Sequence, residues 1–351
     1  MFVERPSHSG APHEFLRGWV RGLLRGGVAG LALCAANPVF AHDFWIEPSA
    51  LHAPVDSAVK LQLKVGHGED VVVLPRNPER FEKFVVAGPS GTADIVGVDG
   101  NVPAGIVRPS MPGLYQVAYL SRYSTVDLDA VRFEAYLREE GLERVSKLRA
   151  DRGLSHTRGR ERYSRCAKAI LTIGDGPHKG VDKPVGMRLE LLAEKSPRDI
   201  RAGAPTSFRL LFEGAPIAGV LVRASTLEVS DVRLEARTDA SGRVAFTLDR
   251  AGVWRLNAVH MLELAAGDAT VQASSAGTVV GDEPAKQDWE SLWASLVFAV
   301  PPAAPGAVTP PTTGTPPAEA PAAIDDAQPA GPVPGPATDS APASAPRSGA
   351  T

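Results

Sequence analysis

Cysteine is almost missing from this chain: Cys34 and Cys166 are the two in 351 residues. That scarcity excludes a disulfide-stapled scaffold and any cysteine-built zinc or iron–sulfur centre, which need several thiols at set spacings. Aromatic residues are few, at 6%. No apolar run reaches the ~20 residues that a membrane-crossing helix requires. Neither sign of charge dominates: 37 Lys and Arg stand against 40 Asp and Glu, a formal net charge of −3. Without a basic excess, nothing argues for a nucleic-acid partner. Enzyme signatures are missing too, with no Gly-x-Ser-x-Gly elbow and no His-Glu-x-x-His helix. The chain reads as a non-enzyme.

The two ends differ in kind from what lies between them. Residues 1–41 read as a secretory signal peptide: Arg17, Arg21 and Arg25 form a basic region, residues 26–36 a short apolar stretch, and Val39-Phe40-Ala41 a small-x-small cleavage site. Ala36 offers a second cut of the same kind. Export places the protein in the periplasm or outside the cell. Cutting after Ala41 leaves Cys166 as the one remaining cysteine. It reads as a packing residue, although the basic neighbours Arg165 and Lys168 would suit a reactive thiol. At the other end, residues 301–351 hold 14 prolines and many alanines. Such a segment buries too little apolar surface to offset the entropy of ordering it, which predicts a disordered Pro/Ala-rich tail.

Between the ends, short alternating runs predominate. Val59, Leu61, Leu63, Val65 and His67 fall on one face of a strand, with Lys60, Gln62 and Lys64 on the other. Similar strands are expected at 84–87, 114–120, 169–173 and 187–192. A second set follows at 206–212, 220–225, 232–238, 243–248, 253–261 and 292–300, with a hairpin turn at Asp239-Ala240-Ser241-Gly242. Residues 130–149 carry apolar side chains at helical spacing, interrupted at Gly141. The arginine-rich stretch 149–165 that follows reads as a solvated loop leading into a strand. The expected fold is all-β: two tandem Ig-like antiparallel β-sandwiches, residues 42–185 with a helical insertion near 130–150, and residues 186–300.

Histidine carries the chemical argument. After cleavage before His42, that residue would offer a metal both its free amine and its imidazole. Pairing of the strand containing Phe44 and Ile46 with 59–67 would make His42 a cross-strand neighbour of His67. His260 ends the alternating row Trp254, Leu256, Ala258, and could join them at a sandwich rim. Imidazoles suit Ni(II), Cu(II) and Zn(II). His42, His67 and His260 are therefore the candidate metal ligands, with Asp43, Glu47, Glu69 and Asp70 as possible oxygen donors. Met261 should point away from His260, and His52, His156 and His178 read as surface residues. Against the metal stands the bland alternative, in which each histidine merely ends a core-facing row.

The segments that hold these histidines resemble a known family. His42-Asp43-Phe44-Trp45-Ile46-Glu47-Pro48, Val65-Gly66-His67-Gly68, Phe133-Glu134-Ala135-Tyr136-Leu137, Arg160-Glu161-Arg162-Tyr163-Ser164-Arg165, Asn257-Ala258-Val259-His260-Met261 and Asp288-Trp289-Glu290-Ser291-Leu292-Trp293 are similar to exported bacterial proteins described as nickel-uptake-transporter-like, a domain of unknown function. The resemblance runs over residues 42–298. It implies a periplasmic component of nickel or cobalt transport, with a divalent transition metal (nickel, cobalt, copper or zinc) as cofactor or cargo and a membrane metal transporter as partner. A non-catalytic adhesion or scaffold module is the competing function, and a copper monooxygenase built on an N-terminal histidine is a more distant one.

Overall fold

A computed structural model of the chain describes residues 43–68, 70–228, 233–265 and 287–302. The expected signal segment, His42, Glu69 and the tail beyond 302 lie outside the described residues.

The described residues are mostly β-strand, arranged in three sheets. The largest has ten strands. Eight lie on one path, Arg233–Arg237, Leu221–Thr226, Gly252–Glu263, Trp289–Val300, Gly159–Ile173, Gly113–Ser121, Phe81–Gly88 and Gly91–Asp94, and His52–Ala53 and Ser124–Leu128 also pair with Gly159–Ile173. A second sheet joins Asp43–Pro48, Val59–His67, Asp70–Leu74 and Gly105–Val107, and a third joins Leu189–Ala193, Pro205–Phe212, Ala215–Pro216 and Arg243–Thr247.

Alternation along the ten-stranded sheet sends its side chains to two separate cores. Leu292, Leu296 and Phe298 go with Trp254, Leu256 and Ile170 to a core shared with Leu191, Phe208 and Phe246 of the third sheet. Val297, Ala169, Leu171 and Val117 go the other way, to a core shared with Phe44, Ile46 and Leu61 of the second sheet. The large sheet is therefore a middle layer, with the second sheet as a front layer and the third as a back layer. The expected division at 185/186 falls where the chain leaves the middle layer for the back one. The middle sheet itself crosses that division, since Trp289–Val300 lies beside Gly159–Ile173 with Glu161 opposite Trp289 and Ala169 opposite Val297.

That pairing is parallel, not antiparallel as expected. Both strands are buried on both faces along most of their length, which is the environment parallel strands occupy. The arginine-rich stretch differs from expectation as well. Strand begins at Gly159, and Arg160 and Arg162 reach Asp288 (3.0 Å) and Glu290 (2.7 Å) across the parallel ladder.

The helical region divides where glycine breaks the pattern. Helix α1, Ala130–Glu139, starts at Asp129, whose carboxylate accepts the Arg132 backbone N–H at 2.9 Å. Gly141 then adopts φ +66°, a conformation open to glycine at little cost, and α2 runs Glu143–Asp151. Phe133, Tyr136, Leu137 and Val145 pack on Val259, Met261, Trp289 and Trp293. The helices thus cover the middle sheet on its front face, beside the front layer, and are anchored by late strands of the chain.

Lys168 and Glu190 join the middle and back layers. Both side chains are 1% exposed, with Nζ 2.9 Å from Oε1. Glu190 also accepts the backbone N–H groups of Val185, Gly186 and Met187 at 2.7, 3.1 and 3.1 Å, so its carboxylate pins the crossing segment.

Candidate cleft at the front rim

The strands Asp43–Pro48 and Val59–His67 pair as expected. Asp43 faces Gly66, Phe44 faces Val65, and the ladder continues to Pro48 opposite Leu61. Gly66 has no room for a side chain: a Cβ there would stand 2.0 Å from the carbonyl oxygen of Asp70. The chain turns directly afterwards, with Gly68 at φ +57° and His67 opposite Asp70. His67 is therefore exposed at a hairpin tip and does not continue the apolar row.

That tip borders a cavity of 320 Å³ between the front layer and the middle sheet. Asp43, Trp45 and His67 line it from the front, and Arg223, Arg255 and Asn257 from the middle sheet. Arg255 donates to Asp43 at 2.8 Å, and its guanidinium lies 4.3 Å from the centre of the Trp45 ring. Burial lowers the pKa of this guanidinium. Arg223 donates to Glu140 at 2.5 Å and to Glu235 at 2.9 Å. Burial pushes the Glu140 carboxyl up to about 7 despite the pull of Arg223.

His260 is not part of this cleft. It lies on the face of its strand opposite to Arg255 and Asn257, in edge-on contact with Phe212 of the back layer at 4.9 Å between ring centres. The middle sheet stands between it and His67, so the third ligand expected at a common rim does not join the second. Burial, with Arg144 and Arg188 nearby, lowers the His260 pKa to about 4. Its surroundings also repel a cation. The row that His260 ends is core-facing, as the alternation indicated, but the core is the one shared with the back layer.

The oxygen donors among the described residues are engaged or exposed. Glu47 accepts from Lys64 at 2.6 Å and from the Trp45 indole at 3.1 Å, and Asp70 is exposed opposite His67. Met261 points into the helical cluster, away from His260. His52 and His156 are exposed, while His178 is half-buried with Nδ1 unpartnered. Among the described residues, no group of three His, Cys, Asp or Glu could hold a metal ion, and no helix is long and apolar enough to cross a membrane.

Cys166 is fully buried between the middle and back layers, and burial pushes its thiol up to about 12. Only a thiolate reacts rapidly. In the folded protein Cys166 is expected to resist a thiol reagent at pH 8 and to react once denatured, which a colorimetric thiol count in buffer and in guanidinium checks. Rapid labelling of the native protein would contradict this burial.

Sequence reasoning passed over Arg255 and Asn257. Their signal is an interruption: Val253, Arg255, Asn257 and Val259 form one row of a strand, and its two central members are polar.

No curated protein matches the chain. Among solved structures, the D0-D1 domain of intimin is similar at 12% identity, covering 73% of this chain and 97% of that one, with a TM-score of 0.17, too low to equate the two folds. The family described as a domain of unknown function, DUF4198, matches residues 39–262, from just before the first strand to the last residue but one of the strand that carries Arg255 and His260, and the chain belongs to it.

Proposed function

We propose that this is a periplasmic protein that binds one divalent transition metal, Ni(II), Co(II), Cu(II) or Zn(II), for uptake or buffering, and that it is not an enzyme. The ligands in this reading are His67 and, as the first residue of the exported chain, His42 through its amine and imidazole. The observation that carries it is the register of the pairing between Asp43–Pro48 and Val59–His67. Asp43, which follows His42, lies opposite Gly66, which precedes His67. Three nitrogen donors from two histidines suit these ions. The set does not include His260.

The reading depends on His42, because the described residues alone hold no three-donor group. That same observation favours the second reading, a non-catalytic adhesion or scaffold module. The resemblance to nickel-uptake proteins supports the first, and a membrane metal transporter is the partner it implies. Untagged protein isolated from the periplasm is expected to start at His42 and to carry close to one equivalent of metal by elemental analysis. Metal-free protein that starts at His42 and takes up no metal on dialysis would leave the scaffold reading.

A further inference from the structure

Two buried polar atoms in the cleft residues have no partner: Arg255 Nε, a donor, and Asn257 Oδ1, an acceptor. Buried polar groups are nearly always hydrogen-bonded, and an orphan calls for an explanation. Here a donor and an acceptor are left over two residues apart on one face of one strand, and both residues line the same 320 Å³ cavity. The size is at the lower end of small-molecule sites, about 300–1,000 Å³. Arg233 adds a guanidinium to the lining, its side chain 39% exposed and 3.2 Å from Glu235. Trp45, Val71 and Leu227 supply apolar wall.

We propose that this cleft binds a small zwitterion, an α-amino acid with an apolar side chain. The carboxylate would meet Arg255 Nε and Arg233, because a guanidinium is matched in shape and charge to a carboxylate. The ammonium would donate to Asn257 Oδ1. The apolar side chain would lie against Trp45 and Leu227. Neither a bare anion nor a bare cation meets both orphans, since one ligand must accept from Arg255 and donate to Asn257. The inference goes beyond the metal reading. It rests on Arg255 and Asn257, not on the histidines.

The test uses the purified full exported chain, stripped of metal, so that this site and the metal site can fail separately. The twenty standard amino acids are screened by thermal shift, and L-leucine is titrated by calorimetry beside its two halves, 4-methylpentanoate without the amine and isopentylamine without the carboxylate. Leucine is expected to bind, with each half at least tenfold weaker. Arg233→Ala and Asn257→Leu should each weaken leucine at least tenfold. Arg233 is the more exposed, so its variant keeps the test decisive if Asn257→Leu does not fold. The proposal is overturned if no amino acid shifts the melting temperature or releases heat, if 4-methylpentanoate binds as tightly as leucine, or if Arg233→Ala binds leucine unchanged.

Discussion

Lys168→Met is expected to cost the protein about 3 kcal/mol of stability, at the lower end of what is measured when one partner of a buried ion pair is removed. The Lys168 and Glu190 side chains are each 1% exposed, so the carboxylate left behind cannot turn to water. Three backbone N–H groups would still point at Glu190, which keeps the cost from being larger. The double variant Lys168→Met/Glu190→Gln removes the stranded charge and should regain part of the loss. Urea unfolding monitored by tryptophan fluorescence measures both. Because Lys168 belongs to the middle sheet and Glu190 to the back layer, a single cooperative transition that moves as a whole is expected. A loss under about 1 kcal/mol, or a second transition that does not move, would contradict the pair's role in joining the layers.

Glu161 gives the second large effect, and its sign depends on pH. Its carboxyl lies between α1 and the strand Trp289–Val300, accepting from Tyr136 at 3.2 Å and from Ser291, whose hydroxyl also accepts the Trp293 indole at 2.9 Å. Its Oε2 has no partner. Burial pushes the pKa from 4.5 up to about 7, with Glu140 adding to the shift. A folded-state pKa above the unfolded one means that the native state holds the extra proton between those values, so stability falls as pH rises through that window. From pH 4.5 to 7 this one group corresponds to about 3 kcal/mol. Glu161→Gln keeps an acceptor for Tyr136 and Ser291 but cannot ionise. The variant should match wild type at pH 4.5 and exceed it by about 2–3 kcal/mol at pH 8. Glu140 titrates in the same range and His260, held near 4, acts in the opposite direction. The difference between variant and wild type cancels His260 and reads Glu161 together with its coupling to Glu140. Equal stabilities across the whole range would show that Glu161 is not buried as a neutral acid.

Some of this architecture is written locally and some is not. The strand Val59–His67 could be read because Lys60, Gln62 and Lys64 mark its outward face, and the helix break could be read because Gly141 stands between two apolar periods. The pairing of Gly159–Ile173 with Trp289–Val300 could not. Both strands are buried on both faces along most of their length, so neither alternation nor a nearby turn reveals the partner. Arg160 and Arg162 misled for a related reason, since their acidic partners Asp288 and Glu290 lie far along the chain. His260 shows the same difficulty at the candidate site. Its row faces a core, but a strand in a middle layer has a core on each side, and alternation alone does not say which core lies beside His67. The cleft itself arises where Asp43 and Trp45 meet Arg255 and Asn257, residues about 210 positions apart in the chain that come together through strand order and not through any local pattern.

The metal reading stands or falls on a free amine at His42 acting with His67. Calorimetric titration of Ni(II), Cu(II) and Zn(II) into the exported chain that begins at His42, compared with the same chain carrying one added residue before it and with His67→Ala, tests this directly. The added residue moves the amine away and leaves both imidazoles, so it should weaken binding of the preferred ion strongly, as should His67→Ala, while His260→Ala should leave the affinity unchanged. Binding of all three ions that is the same with the added residue and without His67 would contradict the account.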